Sequence, residues 1–403
     1  MHLTHLSLTN FRAFSRLDMA LPNPPGVVLV VGDNAQGKTS LLEAVFYLAT
    51  FSSFHANSDR QLINLLAAQD ALSVARIVAE YWRSGRMHRL EVRVILDSVG
   101  PTGRRLRKEV LVDGVKRTVG QAVGNFLAVL FLPQMMQIIE GGPEERRRYL
   151  NLALSQVVPG YAEALSSYQQ ALQQRNALLK LLSERGGAVE QLDYWDGLLA
   201  QHGATILLAR LNAVQEMERL AARIHLRLTR NQEVLRWIYQ PAYDPLPQPE
   251  GQYKLAIQTP VQRLGFTYEQ LRRGFAERLL ALRNEEIGRG VTTIGPHRDE
   301  LRFWSNGLDL GDFGSRGQVR TALLSAKLAE AAWMHEKTGE WPVLLLDETL
   351  AELDVQRRAD LLESQDEVQQ VLMTTTDLKL FPQEFVDSCT VWWVQNGCVT
   401  AGD

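Results

Sequence analysis

The stretch Gly26-Val27-Val28-Leu29-Val30-Val31-Gly32-Asp33-Asn34-Ala35-Gln36-Gly37-Lys38-Thr39-Ser40 decides the fold. Residues 26–31 form a short apolar run rich in β-branched side chains, which predicts a central strand covered on both faces. Residues 32–39 match the pattern G-x-x-x-x-G-K-[ST], and the helix-forming run Leu41-Leu42-Glu43-Ala44 follows. A glycine-rich turn between a buried strand and a helix is typical of a phosphate-binding loop. The stretch therefore predicts an α/β fold with a nucleotide site.

The turn predicts ATP and Mg²⁺ as cofactors. Its backbone N–H groups and the helix N-terminus are expected to surround the phosphates, with Lys38 reaching the β- and γ-phosphates and Thr39 binding Mg²⁺ through its hydroxyl. A purely structural glycine loop is the competing interpretation. The predicted nucleotide-binding residues are Gly32, Asp33, Asn34, Ala35, Gln36, Gly37, Lys38 and Thr39.

A second apolar run, Val343-Leu344-Leu345-Leu346, ends in Asp347-Glu348. A carboxylate at the end of a buried strand beside the phosphate loop is the second Mg²⁺-holding element of P-loop NTPases. We expect Asp347 to hold the metal, directly or through water, and Glu348 to orient or deprotonate the attacking water. The predicted catalytic residues are thus Glu348 and Lys38. Taken alone, the acidic pair is equally well explained as a helix cap.

The turn Gly314-Ser315-Arg316-Gly317-Gln318 opens a helix predicted over 317–337 and offers a second anion site. Two phosphate-binding helix ends in one chain suit a head-to-tail dimer, in which this turn contacts the γ-phosphate held by the other subunit. ATP would then favour the closed dimer, because it gains contacts only there. The alternative is an ordinary helix cap. The predicted dimer signature is Ser315, Arg316, Gly317 and Gln318.

The 403-residue chain is long enough for more than one core, and its texture changes twice. We expect an ATPase head from residues 1–142 and 289–403, with a helical lobe inserted over 143–288. Apolar residues of that insertion recur at three- and four-residue steps, which predicts a bundle core. The predicted strands of the head lie at 2–31, 72–82, 88–97, 109–113, 290–294, 299–304, 343–346 and 371–373.

Composition limits the function classes. Charged residues make up 22% and hydrophobic residues 45%, which excludes a mostly disordered chain, and the net charge of -3 excludes a generally basic coat for nucleic acid. Cys389 and Cys398 flank a predicted hairpin and are expected to be free thiols in a reducing compartment. No apolar run approaches about 18 residues, and the first twelve residues lack signal-peptide blocks. We expect a cytoplasmic protein with no membrane partner.

Two basic groups are candidates for contact with DNA phosphates. One crowds a predicted hairpin, and the other falls at four-, four- and three-residue steps on one helix, so that its members share a face. A solvated, exposed face is the competing interpretation of each group. The first group contains Arg104, Arg105, Arg107 and Lys108, followed by Lys116 and Arg117, and the second contains Arg219, Arg223, Arg227 and Arg230.

Taken together, these motifs resemble the RecF family of bacterial recombination mediators, within the ABC-type, SMC-like ATPases. The resemblance covers nearly the whole chain. Besides the stretches above, the segments that carry it are Asn10-Phe11-Arg12, Phe131-Leu132-Pro133, Gly142-Pro143, Arg146-Arg147-Arg148-Tyr149-Leu150, Gly295-Pro296-His297-Arg298-Asp299, Glu352-Leu353-Asp354 and Thr374-Thr375-Thr376-Asp377. The chain departs from the family at Gln134 and Asn151, where Glu and Asp are usual, and at Glu348, where a second Asp is commoner.

The resemblance implies an ABC-type head, a mixed sheet with helices, that carries an inserted helical lobe. It further implies a weak ATPase whose ATP-driven homodimer binds single-stranded, gapped or junction DNA and is released by hydrolysis. RecR and RecO would be its partners in loading RecA, in replication restart and in SOS induction. The place of Arg12 beside the first strand favours a position near the nucleotide. His297 and Arg298 are either near the nucleotide or a buried structural pair.

Three other classes remain open. A transporter nucleotide-binding subunit would carry a switch histidine after the strand at 371–373, where Thr375 or Thr376 stands. Another SMC-like or nuclease-associated DNA ATPase would need long coiled-coil arms, and the insertion predicted here is too short for them. A scaffold that binds ATP without hydrolysing it would share every motif.

Overall fold

The computed structural model describes residues 1–56, 58–70, 72–99, 103–246, 263, 265–348 and 368–401. The chain divides into two compact units. The first combines Met1–Met135 with Glu330–Asp403, and the second is Met136–Ala329. The division expected from sequence, at 142/143 and 288/289, remains a prediction about domains. In this structure residues 289–329 group with the helical segment, because the strand at 300–305 pairs with a strand from that segment.

Fifteen strands lie in the described part of the chain. They are β1 (His2–Phe11), β2 (Phe14–Ala20), β3 (Val27–Val31), β4 (Leu72–Arg83), β5 (Arg86–Val99), β6 (Gly103–Val112), β7 (Val115–Arg117), β8 (Ala128–Phe131), β9 (Leu235–Gln240), β10 (Glu300–Ser305), β11 (Leu308–Asp309), β12 (Val343–Asp347), β13 (Val371–Thr375), β14 (Thr390–Gln395) and β15 (Cys398–Ala401).

The α-helices of the described residues are numbered in the same way. They are α1 (Lys38–Thr50), α2 (Val119–Ala122), α3 (Gln137–Glu140), α4 (Pro143–Val157), α5 (Tyr161–Arg185), α6 (Leu192–Leu228), α7 (Tyr268–Arg289), α8 (Leu310–Phe313), α9 (Arg316–Thr338) and α10 (Gln383–Ser388).

The nucleotide-site strand lies inside a six-stranded sheet of the first unit, in the order β15-β14-β3-β13-β12-β8. Strands β14, β3, β13, β12 and β8 run parallel, and β15 closes the edge as an antiparallel hairpin. The β3 and β12 side chains are almost wholly buried, as expected for strands covered on both faces. Because the strands are parallel, the residues that follow β3, β12 and β13 meet at one edge.

A second sheet of the first unit is antiparallel and has the order β2-β1-β4-β5-β6-β7. Its hairpins turn at Ser84-Gly85 and Asp113-Gly114, where positive φ angles suit the two-residue turns. The sequence-predicted strands of this region are confirmed, with longer bounds than expected.

Helices dominate the second unit. Helices α5, α6 and α7 pack on one another, and the predicted apolar stripe of α6 is buried at Leu207, Leu211, Met217 and Ala221. The expectation of a bundle core is thus confirmed. A three-stranded sheet, β11-β10-β9, completes the unit.

Two expectations about strands were wrong. Residues 290–294 form no strand, because Gly290 ends α7 in a left-handed conformation and two of the following N–H groups bond to side chains: Thr292 N donates to Asn176 Oδ1 (2.8 Å) and Thr293 N to Glu286 Oε1 (2.6 Å). Strand β9 was missed inside the helical stretch. The chain is rich in proline over 240–252, and residues 247–252 of that stretch lie outside the described residues.

Candidate functional site

The predicted phosphate loop connects β3 to α1 and is shaped by two glycines. A Cβ at Gly32 would lie 2.3 Å from the carbonyl oxygen of Val394, so any side chain there would force the backbone to shift. Gly37, at φ 113°, directly precedes α1 and has a conformation that L side chains rarely adopt. Gln36 is held from outside the loop, since its Oε1 accepts the N–H of Asn396 (2.6 Å). The two glycines thus stand where close packing and a left-handed backbone leave no room for another residue.

Lys38 lies inside this turn and is only 4% exposed. Its Nζ donates to the carbonyl oxygens of Gly32 (2.8 Å) and Asp33 (3.0 Å) and forms an ion pair with Glu348 Oε1 at 3.2 Å. A buried ammonium among backbone carbonyls and one carboxylate is placed to bind a polyanion, because it can exchange these acceptors for phosphate oxygens. The two predicted catalytic residues are therefore in direct contact.

Thr39 and Asp347 also meet at this edge of the sheet. Thr39 Oγ1 donates to Asp347 Oδ2 at 2.8 Å, and Asp347 is buried at the end of β12. A hydroxyl and a carboxylate are the two protein oxygens that Mg²⁺ uses in P-loop sites, with phosphates and waters as its other ligands. Within the described residues no group of three or more His, Cys, Asp or Glu side chains can hold a metal by itself. The donor set fits a metal that is completed by a nucleotide.

Thr374 is a residue of this site that the sequence analysis did not single out. Its Oγ1 donates to Asp347 Oδ1 (2.6 Å) and accepts the backbone N–H of Glu348 (3.0 Å). The hydroxyl thus fixes both carboxylate residues from the neighbouring strand β13. Glu348 itself has a left-handed backbone, φ 46°, which is costly for a non-glycine residue and is typical of functional sites. The position of Thr374 in the quoted TTTD segment was the signal that could have identified it.

Arg12 is held on the same unit by a buried carboxylate of α1. Its guanidinium binds both carboxylate oxygens of Glu43, each at 2.7 Å, and donates to the carbonyl oxygen of Gln61 at 3.0 Å. Ser53 Oγ also donates to Glu43. The structure therefore places Arg12 against the helix that begins in the phosphate loop, and its nearness to the nucleotide remains a prediction.

The predicted dimer signature belongs to the second unit, at the start of α9. Ser315 Oγ accepts the N–H of Gln318 (3.3 Å), and Gln318 Oε1 accepts the N–H of Ser315 (3.1 Å). This reciprocal pair is a capping box. Ser315 and Arg316 are exposed, whereas Gly317 and Gln318 are half-buried. The turn has the geometry of a well-formed helix cap, and its role in a dimer remains a prediction.

The GPHRD segment also lies in the second unit and forms a buried polar network. Asp299 accepts hydrogen bonds from the Arg210 guanidinium (2.7 Å) and the Tyr239 hydroxyl. His297 Nδ1 accepts from the Tyr168 hydroxyl (2.7 Å), and burial lowers the pKa of His297 to about 4. Of the two interpretations of this segment, the contacts favour a structural role for His297, whereas Arg298 is exposed.

Asn151, one of the departures from the family pattern, lies in the same network. Its Oδ1 accepts from the Tyr161 hydroxyl (2.8 Å) and from Arg210 (2.9 Å). An amide suffices there, because Asp299 already neutralises Arg210. This departure is thus accommodated by the local charges.

The basic hairpin residues lie on β6 and β7 of the first unit, and most of those on β6 are paired. Arg107 forms ion pairs with Asp97 (3.0 Å) and Glu109 (3.2 Å), and Lys108 forms one with Asp59 (2.9 Å). Arg104 donates to the carbonyl oxygen of Ala68, and Arg105 is exposed. These contacts favour a solvated, internally paired face over a dedicated phosphate surface, and DNA binding by these residues remains a prediction.

The second basic group is exposed on the second unit at Arg219, Arg223 and Arg227. Arg230 lies past the end of α6, in a left-handed conformation, so it does not continue the helical face.

Elsewhere, Cys389 and Cys398 are free cysteines, as expected, and Gln395 pairs with Cys398 across the hairpin. None of the helices that the structure describes is long and apolar enough to cross a membrane. Glu352, Leu353 and Asp354 lie outside the described residues.

Comparison with known proteins agrees with this geometry. Residues 2–400 match the family described as the RecF/RecN/SMC N terminal domain. The chain is 39% identical to the DNA replication and repair protein RecF of Roseiflexus castenholzii, over 98% of this chain and 99% of that protein. It is also 39% identical to the DNA replication and repair protein RecF of Chloroflexus aurantiacus, over 100% of both chains.

Solved structures give the same result. The recombination mediator protein RecF-ATP in the RecFOR pathway aligns with a TM-score of 0.82 and 27% identity, over 100% of this chain and 98% of that one. An Smc head bound to the C-winged helix domain of ScpA aligns with a TM-score of 0.51 and 14% identity, over 100% of this chain and 97% of that one, which is a likeness of fold alone.

The fold is therefore that of an ABC-type, SMC-like P-loop ATPase, with a mixed sheet and helices as the sequence predicted. The similarity to the RecF proteins extends over both units of the chain, including the segment between the phosphate loop and the signature turn. The chain belongs to the RecF family of DNA replication and repair proteins.

Proposed function

We propose that the chain binds ATP with Mg²⁺ at the phosphate loop and hydrolyses it slowly. The observation that carries this proposal is the convergence of Lys38, Thr39, Asp347 and Glu348 at one sheet edge. The residues present fit the cofactor: two glycines shape the turn, a buried ammonium lies within it, and a hydroxyl and a carboxylate that can serve as metal ligands stand 2.8 Å apart. ATP with Mg²⁺ supplies a phosphoryl group that is activated for attack by water.

Each residue then has a defined task. Lys38 binds the anionic phosphates through its Nζ, and the backbone N–H groups at the start of α1 contribute further donors. Thr39 and Asp347 hold the metal through oxygen atoms, and Thr374 fixes the orientation of the Asp347 carboxylate. When Lys38 exchanges Glu348 for phosphate, the Glu348 carboxylate is released from its ion pair and can accept a proton from water.

We further propose that ATP joins two copies head to tail, with the exposed Ser315 turn of one copy contacting the γ-phosphate bound by the other. The capping box supports this, because Ser315 Oγ serves as an acceptor within the turn and its O–H remains as a donor for an anion. Hydrolysis would remove the shared phosphate and with it the ligand that favours the dimer.

The substrate of this ATP cycle is proposed to be DNA with gaps, single-stranded segments or junctions. Membership of the RecF family supports it, as does a relative described as a recombination mediator of the RecFOR pathway. RecR and RecO would then be partners, RecA loading, replication restart and SOS induction the outcomes, and the cytoplasm the location. The two free cysteines fit a reducing compartment.

Binding to a labelled gapped duplex tests this proposal. We expect Mg-ATP to raise the affinity of the wild type about tenfold or more, and Lys38→Met to remove that increase while leaving the weak, salt-sensitive binding seen without ATP. Equal affinity with and without Mg-ATP in the wild type would contradict the proposal.

A second candidate is an ATP-binding scaffold without turnover. The Lys38–Glu348 ion pair favours it in one respect, because Glu348 is engaged by Lys38 and is not directed at a water. Glu348→Gln separates the two candidates, since it changes nothing measurable in a scaffold.

A further inference from the structure

A chain of hydrogen bonds runs behind the signature turn and leads away from Ser315. Gln318 uses both ends of its side-chain amide: Oε1 accepts the N–H of Ser315 at 3.1 Å, and Nε2 donates to Glu233 Oε1 at 3.4 Å. The amide orientation that caps Ser315 is therefore the one in which Nε2 faces a carboxylate. A carboxylate only accepts hydrogen bonds, so Glu233 selects that orientation over the flipped one.

Glu233 is itself held by several contacts. It lies in the short turn between α6 and β9, where its N–H donates to Thr229 Oγ1 (3.3 Å), and its Oε2 accepts from Ser305 Oγ (2.8 Å). Asn306 fixes the next residue by accepting the N–H of Val234 at Oδ1 (2.9 Å) and donating its own N–H to the Val234 carbonyl oxygen (3.2 Å). These contacts hold Glu233 in place, so that its carboxylate can orient the side-chain amide of Gln318.

His225 connects the same carboxylate to the body of the signature helix. It is fully buried on α6, with Nε2 3.4 Å from Glu233 Oε2 and Nδ1 3.0 Å from Ser325 Oγ. Ser325 lies on α9, ten residues beyond Ser315. The start and the middle of α9 are thus both tied to the end of α6, one through Gln318 and the other through His225.

We propose that Glu233 is a positioning residue for the signature turn. By fixing the amide of Gln318, it holds Ser315 in the orientation in which its hydroxyl meets the terminal phosphate of a nucleotide bound to a second copy of the chain. The use of that orientation depends on the proposed ATP-driven dimer. The orientation itself is a property of the single chain and does not depend on the dimer.

Amide hydrogen exchange of the full-length chain without ATP tests the orientation. In Glu233→Ala we expect the peptide spanning Gly314 to Val319 to exchange roughly tenfold faster than in the wild type, because the capping amide loses its partner. Glu233→Gln, which keeps an acceptor at the same place, should exchange like the wild type. Glu163→Ala, an exposed position on α5 of the same unit, is the matched control and should change nothing. Unchanged exchange in Glu233→Ala would overturn the proposal.

The concentration needed for half-dimerisation in Mg-ATP tests the consequence. We expect Glu233→Ala to raise it roughly tenfold without changing the affinity of the single chain for a fluorescent ATP analogue, and Glu233→Gln to restore it. Gln318→Ala should match Glu233→Ala, and the double variant should be no worse than either, because both act through one hydrogen bond. Gln318→Ala also keeps the test available if Glu233→Ala fails to fold.

The outcomes separate this proposal from the proposed function. Faster exchange with normal dimerisation in Glu233→Ala would overturn the positioning role. Faster exchange in a chain whose wild type never dimerises would support Glu233 as the residue that orients the turn and would overturn the ATP-driven dimer instead.

Discussion

Thr374 Oγ1 donates a hydrogen bond to Asp347 Oδ1 at 2.6 Å and accepts the N–H of Glu348 at 3.0 Å, so one hydroxyl on β13 orients both carboxylate residues at the end of β12. The structure thereby separates two tasks. Thr39 and Asp347 offer oxygens to a metal, and Thr374 determines where the carboxylate points. An oxygen ligand that is oriented by a neighbouring group needs less reorganisation when the metal binds.

The first prediction concerns Thr374. Thr374→Val keeps the shape of the side chain and removes both hydrogen bonds. We expect the Mg²⁺ concentration for half-maximal ATP hydrolysis to rise roughly 10- to 100-fold, while ATP binding in the absence of metal stays unchanged. Titration of Mg²⁺ at saturating ATP measures this. Thr400→Val, on the exposed edge strand β15, is the control, and an equal response of the two variants would contradict the role of Thr374.

The second prediction concerns the buried ammonium of the phosphate loop. Lys38→Met retains most of the apolar stem and removes the charge. Loss of a charge-assisted contact to phosphate costs about 3 kcal/mol, which is roughly a 100-fold weaker Kd for ATP. A fluorescent ATP analogue measures the affinity directly, and Lys379→Met, an exposed lysine of the same unit, should bind like the wild type. If Lys38→Met also binds like the wild type, the nucleotide site lies elsewhere.

The third prediction separates hydrolysis from binding. Glu348→Gln is isosteric, and it removes the base together with the charge that pairs with Lys38. We expect turnover to fall about 100-fold or more, ATP affinity to stay equal or to improve, and ATP-driven dimers to persist. Steady-state phosphate release and solution mass together measure this. A variant that hydrolyses ATP at the wild-type rate would remove Glu348 from catalysis, whereas a wild type without measurable turnover would favour the scaffold.

The fourth prediction is a pH dependence of stability from His297. Nε2 lies 3.3 Å from the Thr292 carbonyl oxygen, which can only accept, so Nε2 carries the proton and Nδ1 accepts from Tyr168. Burial, followed by the nearby Arg298, Arg147 and Arg210, lowers the pKa to about 4, whereas the unfolded chain has an ordinary pKa near 6.5.

The unfolded state therefore binds the proton more tightly between these two values. Well above pH 6.5, His297 therefore does not lower the free energy of unfolding. The loss grows as the pH falls toward about 4, and it reaches about 2 kcal/mol near pH 5. Urea unfolding of the wild type and His297→Gln at several pH values measures it. The free energy of unfolding of the wild type should fall faster toward low pH than that of the variant, and parallel curves would contradict the assignment.

The sequence was sufficient to predict the structure where a single stretch carries both a chemical motif and a local structural pattern. The run 26–40 determines a buried strand, a tight turn and a helix, and the structure has β3, the glycine turn and α1 in that order. The placement of Asp347 beside Thr39 was also expected from the sequence, because a carboxylate at the end of a buried strand is the second metal-holding element of P-loop NTPases. The TTTD segment marked Thr374, but its task did not follow from the pattern, since a hydroxyl on a buried strand is recognisable as an orienting group only once its partners are known.

Long-range pairing explains the errors. Strand β9 alternates well, with Leu235, Trp237 and Tyr239 on its buried side, yet it follows a 37-residue helix, and its partner β10 is about sixty residues away. Residues 290–294 have a strand-like composition, but the amide of Asn176 and the carboxylate of Glu286 take their N–H groups. The ion pair of Lys108 was hidden from the sequence in the same way, because its acidic partner is Asp59, which is distant in sequence.

The central claim, that ATP joins two copies through the Ser315 turn, is tested most directly by the mass of the chain in solution with and without Mg-ATP. The wild type should double from 45.4 kDa when Mg-ATP is added, and Ser315→Arg should bind ATP with unchanged affinity yet keep the mass of a single chain. If the wild type binds ATP tightly and its mass does not change, the head-to-tail dimer is wrong, and the Ser315 turn is an ordinary helix cap.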